Sequence, residues 1–527
     1  MQEPSTIPQL VRAAAERFTD QSAVEDGEAR LSFAALLEQS LQATRAFCAA
    51  GIVPGDRIAI WAPNIWEWIV AAIGLQSAGA ILVTANTRLK GAEAAYVLRK
   101  SGVRILCTMS EFLGTSYVDL LKDQDLPRLE RILTFRGETE GATSWAEFIE
   151  NGKSVTLDEA RRRADAVSPE DLSDFIPTSG TTGKPKAVMT AHGQNLRAFE
   201  SWSEVVGLRE GDRYLISSPF FHSMGYKAGW LACLMRGATA IPHAVFNVEE
   251  ILERVGRERI SVLVGAPTIY QDFLAHPDLK KHDISNLRLA VTGAAPTPVE
   301  LIRRMRSELG FETTITGYGL TEVCGIATMC RYDDDPEVIA TSSGRAIPNV
   351  EVRCVDPDDN EVARGDPGEV VVRGYNVMAG YFDDAAETAR TIDEQGWLHT
   401  GDIAVMDENG YVRITDRIKD MFITGGFNCY PAEIENMLFG TGDFAQVAVI
   451  GVPDDRMGEV CMAFVVPAPG RTVTASSVIA WSRDNMANYK VPRYVEVVDS
   501  LPTTASGKVT KFVLRERASQ FDRDHAV

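Results

Sequence analysis

The stretch "TSGTTGKPK", residues 178–186, combines hydroxyl side chains, two glycines and two lysines in one short loop. Glycines let backbone N–H groups approach a ligand closely, hydroxyls add hydrogen-bond donors and lysines add positive charge. A surface turn is the alternative, because the same residue types favour turns. The functional interpretation is a phosphate-binding loop made of Thr178, Ser179, Gly180, Thr181, Thr182, Gly183, Lys184 and Lys186.

The spacing of this loop differs from that of the P-loop found in nucleoside triphosphatases. Gly180 and Gly183 are separated by two residues, whereas the P-loop needs four. Pro185 stands where the P-loop needs a magnesium-binding hydroxyl. The sequence therefore rejects the ordinary P-loop, and the rest of the chain must identify the kind of phosphate site.

The composition is that of a large, acidic, folded protein. The chain has 527 residues, of which 45% are hydrophobic and 24% are charged. This length exceeds what one compact core usually holds, so two or more domains are expected. The formal net charge is −20, from 53 basic and 73 acidic residues. Because such a charge repels phosphate backbones, no nucleic-acid partner is expected.

Cysteine use and hydropathy predict a cytoplasmic protein. The eight cysteines include no Cys-x-x-Cys pair, which argues against a zinc knuckle or a disulfide framework. Most of them are expected to be small apolar core residues. The first residues lack a basic head and an apolar core, so no secretory signal is predicted. The stretch "IVAAIGLQSAGAILV" is too short and too interrupted for a transmembrane segment.

Strand-like and helical segments alternate over the first two thirds of the chain. Apolar runs such as "DRIAIWAPN" (56–64), "AILVTAN" (80–86) and "LRLAVTGAA" (287–295) predict buried strands with helices between them. Asn64 is expected to cap the helix that follows the first of these runs. The alternation is typical of layered α/β structure.

The pattern changes from about residue 341. The stretches "VEVRCVD" (350–356), "GEVVVRG" (368–374) and "GYVRITD" (410–416) alternate apolar and polar residues in period two. Turns rich in Gly, Pro and Asp separate them, which predicts a small antiparallel β unit. A short α+β segment follows it. The predicted fold class is α/β, with a β-rich unit and a small α+β unit after the layered part.

Six further motifs follow the glycine-rich loop. Together the seven motifs resemble the signatures, in the same order, of the adenylate-forming enzymes, a superfamily of acyl-CoA synthetases, peptide-synthetase adenylation domains and luciferases. The resemblance covers essentially the whole chain. The six motifs are "PFFHSMG" (219–225), "GAAP" (293–296), "YGLTE" (318–322), "GWLHTGD" (396–402), "DRIKDMFITGGFNCYPAEIE" (416–435) and "PTTASGKV" (502–509).

The resemblance implies a division into two domains. Residues 1–416 form a large adenylation domain of layered α/β sheets, with a β-barrel-like subdomain at about 341–416. Residues 417–420 form a hinge, at which Lys419 occupies the pivot position. Residues 421–527 form a small mobile α+β domain. In the superfamily, rotation at the hinge exchanges the groups that face the active site.

The resemblance also implies a reaction in two steps. A carboxylate first displaces pyrophosphate from the α-phosphorus of ATP, giving an acyl-AMP anhydride. A thiol, here that of coenzyme A, then displaces AMP. Both steps develop negative charge, so positioned positive groups are expected in place of a nucleophilic residue. The expected small molecules are ATP, Mg²⁺, coenzyme A and a carboxylic acid.

The residues expected to bind ATP lie in or beside six of the seven motifs. The glycine-rich loop resembles a clasp for the β- and γ-phosphates, Tyr318 a stacking platform for adenine, and Asp402 and Arg417 ligands of ribose or phosphate. An ordinary surface charge is the alternative for Asp402 and Arg417. The remaining expected ATP-binding residues are Gly293, Ala294, Ala295, Pro296, Gly317, Gly319, Thr321 and Lys508.

Four residues are expected to serve catalysis. Lys508 would bring an ammonium between the carboxylate and the α-phosphate, although a lysine seen alone would be assigned to solvent. Thr321 would contact the α-phosphate, and Glu322 would bind Mg²⁺, which prefers few protein carboxylates. His222 resembles the gate between the acyl and thioester tunnels; a buried structural histidine is the alternative.

The thioester step implicates a second loop. Gly425, Gly426 and Phe427, in "TGGFN", are expected to receive the pantetheine arm of coenzyme A. The acyl pocket is expected to include His222, Met224, Tyr226, Lys227 and Trp230, where Lys227 either meets a second polar group on the acid or points to solvent.

These pocket residues favour a medium-sized or cyclic acid, such as a fatty acid or a steroid ring-fragment propanoate. Aromatic acids, an acyl-AMP ligase serving a carrier protein, a luciferase, and a non-catalytic sensor or scaffold built on the fold are the alternatives. Dimers are common in the superfamily, so a homodimer stays open.

Overall fold

The computed structural model describes most of the chain in full. For residues 416, 417, 427 and 428 it describes the backbone alone. The described residues are 3–178, 185–293, 298–417, 420–424, 427–454, 456–486, 488–503 and 509–521.

The strands of the described residues follow the predicted order, a part that alternates with helices and then a β-rich part. In chain order, they are β1 (Ser22–Asp26), β2 (Ala29–Ser32), β3 (Arg57–Trp61), β4 (Ile81–Thr84), β5 (Ile105–Thr108), β6 (Arg131–Thr134), β7 (Thr143–Ser144), β8 (Leu172–Thr178), β9 (Lys186–Ala191), β10 (Arg213–Ile216), β11 (Thr239–Pro242), β12 (Val262–Gly265), β13 (Leu289–Gly293), β14 (Thr313–Tyr318), β15 (Thr328–Met329), β16 (Arg345–Ala346), β17 (Val350–Val355), β18 (Pro367–Gly374), β19 (Gly380–Tyr381), β20 (Leu398–Met406), β21 (Val412–Arg417), β22 (Phe422–Thr424), β23 (Phe427–Cys429), β24 (Phe444–Asp454), β25 (Gly458–Pro467) and β26 (Tyr494–Val497).

The helices lie mainly between the strands of the layered part. None in the described ranges is long and apolar enough to cross a membrane. They are α1 (Ile7–Phe18), α2 (Phe33–Ala49), α3 (Trp66–Ser77), α4 (Gly91–Ser101), α5 (Trp145–Asn151), α6 (Leu157–Asp165), α7 (His192–Val206), α8 (Ser223–Gly225), α9 (Ala232–Arg236), α10 (Val248–Arg257), α11 (Pro267–Ala275), α12 (Val299–Ser307), α13 (Pro336–Thr341), α14 (Ala385–Thr391), α15 (Pro431–Phe439), α16 (Ala475–Asn485) and α17 (Lys511–Ser519).

Two large sheets form the layered part. One has nine strands in the order β16-β15-β14-β13-β12-β10-β11-β1-β2, and its run from β14 to β1 is parallel. The other has eight strands in the order β19-β9-β8-β4-β3-β5-β6-β7, parallel from β8 to β7. Helix α3 contacts β1 of the first sheet and β3 and β4 of the second, so it lies between the two sheets. Its nearly complete burial follows from that position.

Asn64 does not cap α3, contrary to the sequence expectation. Ile65 is the N-cap residue of this helix, and its side chain makes no capping hydrogen bond. The Asn64 side chain instead bonds to the segment between β10 and α8, described below. A partner far along the chain therefore overrides the local capping preference of asparagine.

The β-rich part is a four-stranded antiparallel sheet in the order β17-β18-β20-β21. After it, β22 to β26 form a five-stranded sheet. Alternate residues of β24 and β25 enter two separate hydrophobic clusters, one with α15 and α16 and the other with α17. The small unit is thus a sheet with helices on both faces, and the predicted α/β fold with its β-rich and α+β units is confirmed. The boundaries at residues 416 and 421 stay predictions.

Candidate active site

The candidate site residues follow the carboxyl ends of parallel strands. Gly293 ends β13 and Tyr318 ends β14, its parallel neighbour. His222 follows β10 in the same sheet, and Thr178 ends β8 in the other large sheet. Loops at the carboxyl ends of parallel strands share one edge of a sheet, which is where open α/β sheets bind ligands. The topology therefore gathers motifs that are far apart in the chain.

The glycine-rich loop connects two antiparallel strands. Thr178 at the end of β8 pairs with Lys186 at the start of β9, so the backbone on both sides of the loop is fixed. The Lys186 ammonium forms an ion pair with Glu387 of α14 and lies 5.0 Å from the ring centroid of Tyr381. Lys186 and Arg390 hold the pKa of Glu387 below its ordinary value. The loop residues outside the described part are Ser179, Gly180, Thr181, Thr182, Gly183 and Lys184.

Glycines allow close backbone packing at the ends of β13 and β14. A Cβ atom on Gly293 would lie 3.1 Å from the Gly317 carbonyl oxygen, and one on Gly317 would lie 3.0 Å from the Thr328 oxygen. A Cβ atom on Gly319 would lie 2.3 Å from the Gly325 oxygen, so no side chain fits there. These glycines are therefore required by the close approach of neighbouring backbone segments. The neighbouring candidates Ala294, Ala295 and Pro296 lie outside the described residues.

The side chains of Tyr318 and Asp402 join the layered part to the β-rich part. The Tyr318 hydroxyl donates to Asp402 Oδ2 at 2.6 Å. Asp402 is only 4% exposed and pairs with Arg417 in the antiparallel ladder of β20 and β21. The side chain of Arg417 is not described. The structure thus brings these three predicted ATP ligands into one neighbourhood, Arg417 by its backbone position.

Glu322 lies in a 3₁₀ turn, Thr321–Val323, that begins two residues after Gly319. The Tyr381 hydroxyl donates to Glu322 Oε1 at 2.9 Å, and the Met378 N–H donates to the Glu322 carbonyl. Burial and the Glu322 carboxylate raise the pKa of Tyr381, so this hydroxyl stays protonated as a donor. Tyr381 also lines a groove of about 1020 Å³ between β9, β19 and α14.

Two side chains from the second large sheet hold the segment before His222. Asn64 donates through Nδ2 to the carbonyls of Ile216 and Ser218, and its Oδ1 accepts from the Phe220 N–H. The Thr84 hydroxyl donates to the Phe221 carbonyl at 3.0 Å. Both side chains stand just after or at the carboxyl ends of strands, β3 and β4. The half-buried His222 is therefore fixed from both sheets.

The segment after His222 carries the predicted acyl-pocket residues. Tyr226 and Trp230 are fully buried and stack with ring centroids 4.9 Å apart, whereas Met224 is 36% exposed. The backbone from Tyr226 to Leu231 is π-helical and is non-helical at Gly229. Gln76 of α3 donates to the Tyr226 hydroxyl at 2.7 Å. The aromatic pair is thus held rigidly in the core.

Lys227 does not point to solvent. Its side chain is fully buried, and its Nζ lies 3.0 Å from Asp174 Oδ1 and donates to Thr190 Oγ1 at 2.9 Å. Asp174 of β8 is equally buried. The solvent alternative for Lys227 is therefore wrong, because a buried carboxylate supplies the counter-charge that a lysine needs in the core.

The predicted site residues of the hinge and of the small unit lie mostly outside the described residues. These are Lys508, the hinge residue Lys419, and Gly425 and Gly426 of the predicted coenzyme A loop. Phe427 is described by its backbone, which pairs with Thr424. Thr503 and Val509 form an isolated β-bridge. The backbone is therefore fixed on both sides of the loop that carries Lys508.

Sequence reasoning did not select several residues that hold this site. They had no motif of their own, because each is defined by a contact between distant segments. In "LSDFIPT" a lone acid directly precedes a short apolar run, which is a signal for Asp174. No comparable signal marks the others. The missed residues are Asn64, Thr84, Asp174, Tyr381 and Glu387.

Two protein-family models match this chain. The model described as AMP-binding enzyme matches residues 11–382, and that described as AMP-binding enzyme C-terminal domain matches residues 433–508. The chain belongs to the AMP-binding enzyme family. The first match spans more than half of the chain and includes the glycine-rich loop and the "YGLTE" motif.

Full-length relatives agree with this assignment. The enzyme is 48% identical to a 3-[(3aS,4S,7aS)-7a-methyl-1,5-dioxo-octahydro-1H-inden-4-yl]propanoyl:CoA ligase of Rhodococcus jostii (strain RHA1), over 98% of this chain and 99% of the relative. It is 47% identical to the ligase of the same name from Mycobacterium tuberculosis, over 97% of this chain and 98% of the relative.

A solved structure agrees as well. The crystal structure of an anthranilate CoA ligase in complex with anthranoyl-AMP is similar with a TM-score of 0.86 and 26% identity, covering 98% of both chains. The predicted superfamily and reaction class are confirmed: this AMP-binding enzyme is an ATP-dependent acid–CoA ligase that forms an acyl-AMP intermediate.

Proposed function

We propose that the acid substrate is a propanoate carried on a fused bicyclic ring system with neutral polar substituents. The observation that carries this proposal is the identity of 48% and 47%, over nearly the whole chain, with two ligases named for such an acid. Relatives this similar over their full length usually share the pocket as well as the fold. The steroid ring-fragment propanoate expected from the sequence is an acid of this class.

The charges of the acyl-pocket segment support a substrate whose distal end is neutral. Lys227 is the basic residue between His222 and Leu231, and the Asp174 carboxylate neutralises its ammonium in the core. A second carboxylate on the acid would therefore find no counter-charge from this segment, and burying it would be costly. The fully buried rings of Tyr226 and Trp230 make this segment apolar instead.

The described residues fit ATP and magnesium. In our proposal, adenine lies beside Tyr318, near the carboxyl ends of β13 and β14. Asp402 and Arg417 bind the ribose. Lys186 and the glycine-rich loop bind the β- and γ-phosphates, and Thr321 the α-phosphate. Glu322 holds Mg²⁺, which is suited to one carboxylate completed by phosphate oxygens and water and which neutralises phosphate charge when bound.

The two chemical steps follow from these roles. The substrate carboxylate oxygen attacks the α-phosphorus, and the bond to the pyrophosphate oxygen breaks. Lys508 stabilises the charge that develops in this step. The coenzyme A thiol then loses its proton and attacks the acyl carbon, and the bond to AMP breaks. We assign His222 to the gate of the acyl tunnel, Gly425, Gly426 and Phe427 to the pantetheine arm, and Lys419 to the hinge.

Formation of AMP tests this function. Wild-type enzyme with ATP, Mg²⁺ and coenzyme A is offered short, medium, long, aromatic and ring-fragment acids, and AMP release is measured. The proposal predicts the highest kcat/KM for the ring-fragment propanoate. It also predicts that Lys508→Ala loses adenylation but still converts supplied acyl-AMP to the thioester. A preference of ten-fold or more for another acid class would contradict the substrate proposal.

Aromatic acids are the second candidate. The similar anthranilate ligase binds an aromatic acyl-AMP. Medium-chain fatty acids belong in the same panel. We further propose a cytoplasmic enzyme. Gel filtration of the full chain tests whether the enzyme forms a homodimer.

A further inference from the structure

Lys227 and Asp174 form a closed pair of charges in the core. Both side chains are 0% exposed. Asp174 Oδ1 accepts from Lys227 Nζ and from the Thr190 hydroxyl at 2.7 Å, while Oδ2 accepts from the Ser173 hydroxyl at 2.7 Å and Asn195 Nδ2 at 2.6 Å. A buried charge without such partners would be strongly unfavourable. The cluster is therefore held in one arrangement.

The cluster joins segments that serve different parts of the reaction. Asp174 lies on β8 and Thr190 on β9, the two strands that flank the glycine-rich loop. Lys227 lies on the segment that carries Tyr226 and Trp230. Asn195 belongs to α7. Through this cluster the strands of the phosphate loop bind directly to the segment of the acyl pocket.

The "YGLTE" segment is the third part joined here. Burial raises the pKa of the Cys324 thiol to about 12, and Lys227 and Asp174 are its charged neighbours. Gly325, at φ +99°, packs so closely on Ser223 that a Cβ atom would lie 2.8 Å from the Ser223 Cβ. The turn that carries Thr321 and Glu322 thus packs on the same segment as Lys227.

The Lys227 segment needs such an anchor because its backbone is irregular. A π-helical turn is rare, and this one is interrupted at Gly229 with φ −91° and ψ −107°. Local helix propensity does not favour this form, so tertiary contacts must hold it. The anchors are Lys227 on Asp174 and the Tyr226 hydroxyl, which accepts from Gln76. Release of Lys227 would let the segment repack and move both aromatic rings.

We propose that the Lys227–Asp174 ion pair is a positioning device that sets the shape of the acyl pocket relative to the phosphate loop and so determines which acids are accepted. Neither residue touches the reacting atoms in this scheme. The proposal rests on the proposed assignment of the 222–231 segment to the acyl pocket. A salt bridge with a purely structural role would be replaceable by a neutral pair without loss of function, since such replacements often preserve folding.

The test is a double variant that removes both charges and keeps the shape, Lys227→Met with Asp174→Asn. The acid that wild-type enzyme uses best serves as probe. We expect kcat/KM for this acid to fall about 10- to 100-fold, mostly through KM, because small displacements of a positioned group have effects of this size. The KM for ATP should stay within about two-fold of the wild-type value. The ratio of kcat/KM for this acid to kcat/KM for smaller acids should fall.

A second variant guards against loss of folding. Thr190→Val keeps both charges and the side-chain shape but removes the hydroxyl that bridges them. It is expected to raise the KM for the acid several-fold, in the same direction as the double variant. A folded double variant with unchanged acid KM and selectivity would overturn the proposal. An equal fall in kcat/KM for the acid and for ATP would overturn the proposal too, because it would indicate a general disruption of the fold.

A second ion pair of the core provides a matched control. Arg288 and Asp212 form a comparable ion pair, with side chains 10% and 3% exposed, at the amino ends of β13 and β10. The double variant Arg288→Met with Asp212→Asn should leave the ratio of KM values for acid and ATP unchanged. If wild-type enzyme prefers an acid without fused rings, the substrate proposal fails, while the same comparison of variants with that acid still tests the ion pair.

Discussion

Two lysine–carboxylate ion pairs of this enzyme differ in burial. Lys227 and Asp174 lie in the core, where neither side chain is exposed. Lys186 and Glu387 lie at the edge of the candidate ATP site, with side chains 14% and 21% exposed. Water can still solvate the second pair, whereas only protein groups compensate the first. We therefore expect the core pair to control stability and pocket shape, and the edge pair to control affinity for phosphate.

The largest expected effect comes from breaking the core pair on one side. Lys227→Met leaves the Asp174 carboxylate buried without its counter-charge and should lower the free energy of unfolding by about 3–5 kcal/mol. Denaturant unfolding measures this. Adding Asp174→Asn to the same chain should restore most of the loss. A single variant as stable as wild type would show that water reaches Asp174 and would remove the contrast between the two pairs.

His192, the first residue of α7, is another buried titratable group next to the Lys227–Asp174 pair. Burial lowers its pKa from 6.5 to about 4, against the opposing effect of Asp174 and Asp171. The unfolded chain therefore binds an extra proton between these values, and stability is lost as pH falls from about 6.5 to 4. The loss is about 3 kcal/mol.

Chemical unfolding across this pH range, with His192→Asn as control, measures the contribution. Asparagine retains an acceptor for the Ile7 N–H, which now donates to Nδ1. The variant should show a flatter stability profile between pH 6.5 and 4. Parallel profiles for both proteins would contradict the assignment of this loss to His192.

The edge pair should behave differently when its cation is removed. Lys186→Met is expected to change the free energy of unfolding by less than about 1 kcal/mol, because partly exposed pairs contribute little. It should lower kcat/KM for ATP by about ten-fold or more through loss of a phosphate ligand. Initial-rate kinetics and thermal unfolding together decide this. A large loss of stability with unchanged ATP kinetics would reverse the roles assigned to the two pairs.

The smallest expected effect concerns the hydroxyl beside the edge pair. Tyr381→Phe removes one hydrogen bond to Glu322, which is equivalent to about 1 kcal/mol. The Mg²⁺ concentration for half-maximal AMP formation should therefore rise a few-fold. Tyr375→Phe is the matched control, because the Tyr375 hydroxyl bonds to Ser201 and Pro348 instead. Equal shifts in both variants would contradict a specific role of Tyr381 at Glu322.

Much of the site could be predicted from short motifs. "TSGTTGKPK" predicts a phosphate loop between two strands and "YGLTE" a turn that carries Glu322, and the structure has the flanking strands and the turn at these positions. The strand ends at Gly293 and Tyr318 were also predictable, since apolar runs followed by glycine-rich turns mark the carboxyl ends of buried strands. The hydrogen bond of 2.6 Å between Tyr318 and Asp402 was not predicted, because it joins two segments far apart in the chain.

Asn64 and Lys227 show where prediction from the sequence stops. An asparagine just before a helix usually caps it, yet Asn64 finds three partners between Ile216 and Phe220. A lysine usually reaches solvent, yet Lys227 ends on Asp174. In both cases local preference amounts to about 1 kcal/mol, and a buried polar group that lacked its distant partner would cost more than that.

The sequence by itself determined the family, the two-step chemistry and the α/β architecture, because these depend on local patterns repeated in a fixed order along the chain. Only the tertiary structure decided that Lys227 is a core cation paired with Asp174. The physical reason is that burial and counter-charge belong to the space between segments. Asp174 and Lys227 are far apart in the chain and meet only because β8, β9 and the π-helical segment pack together.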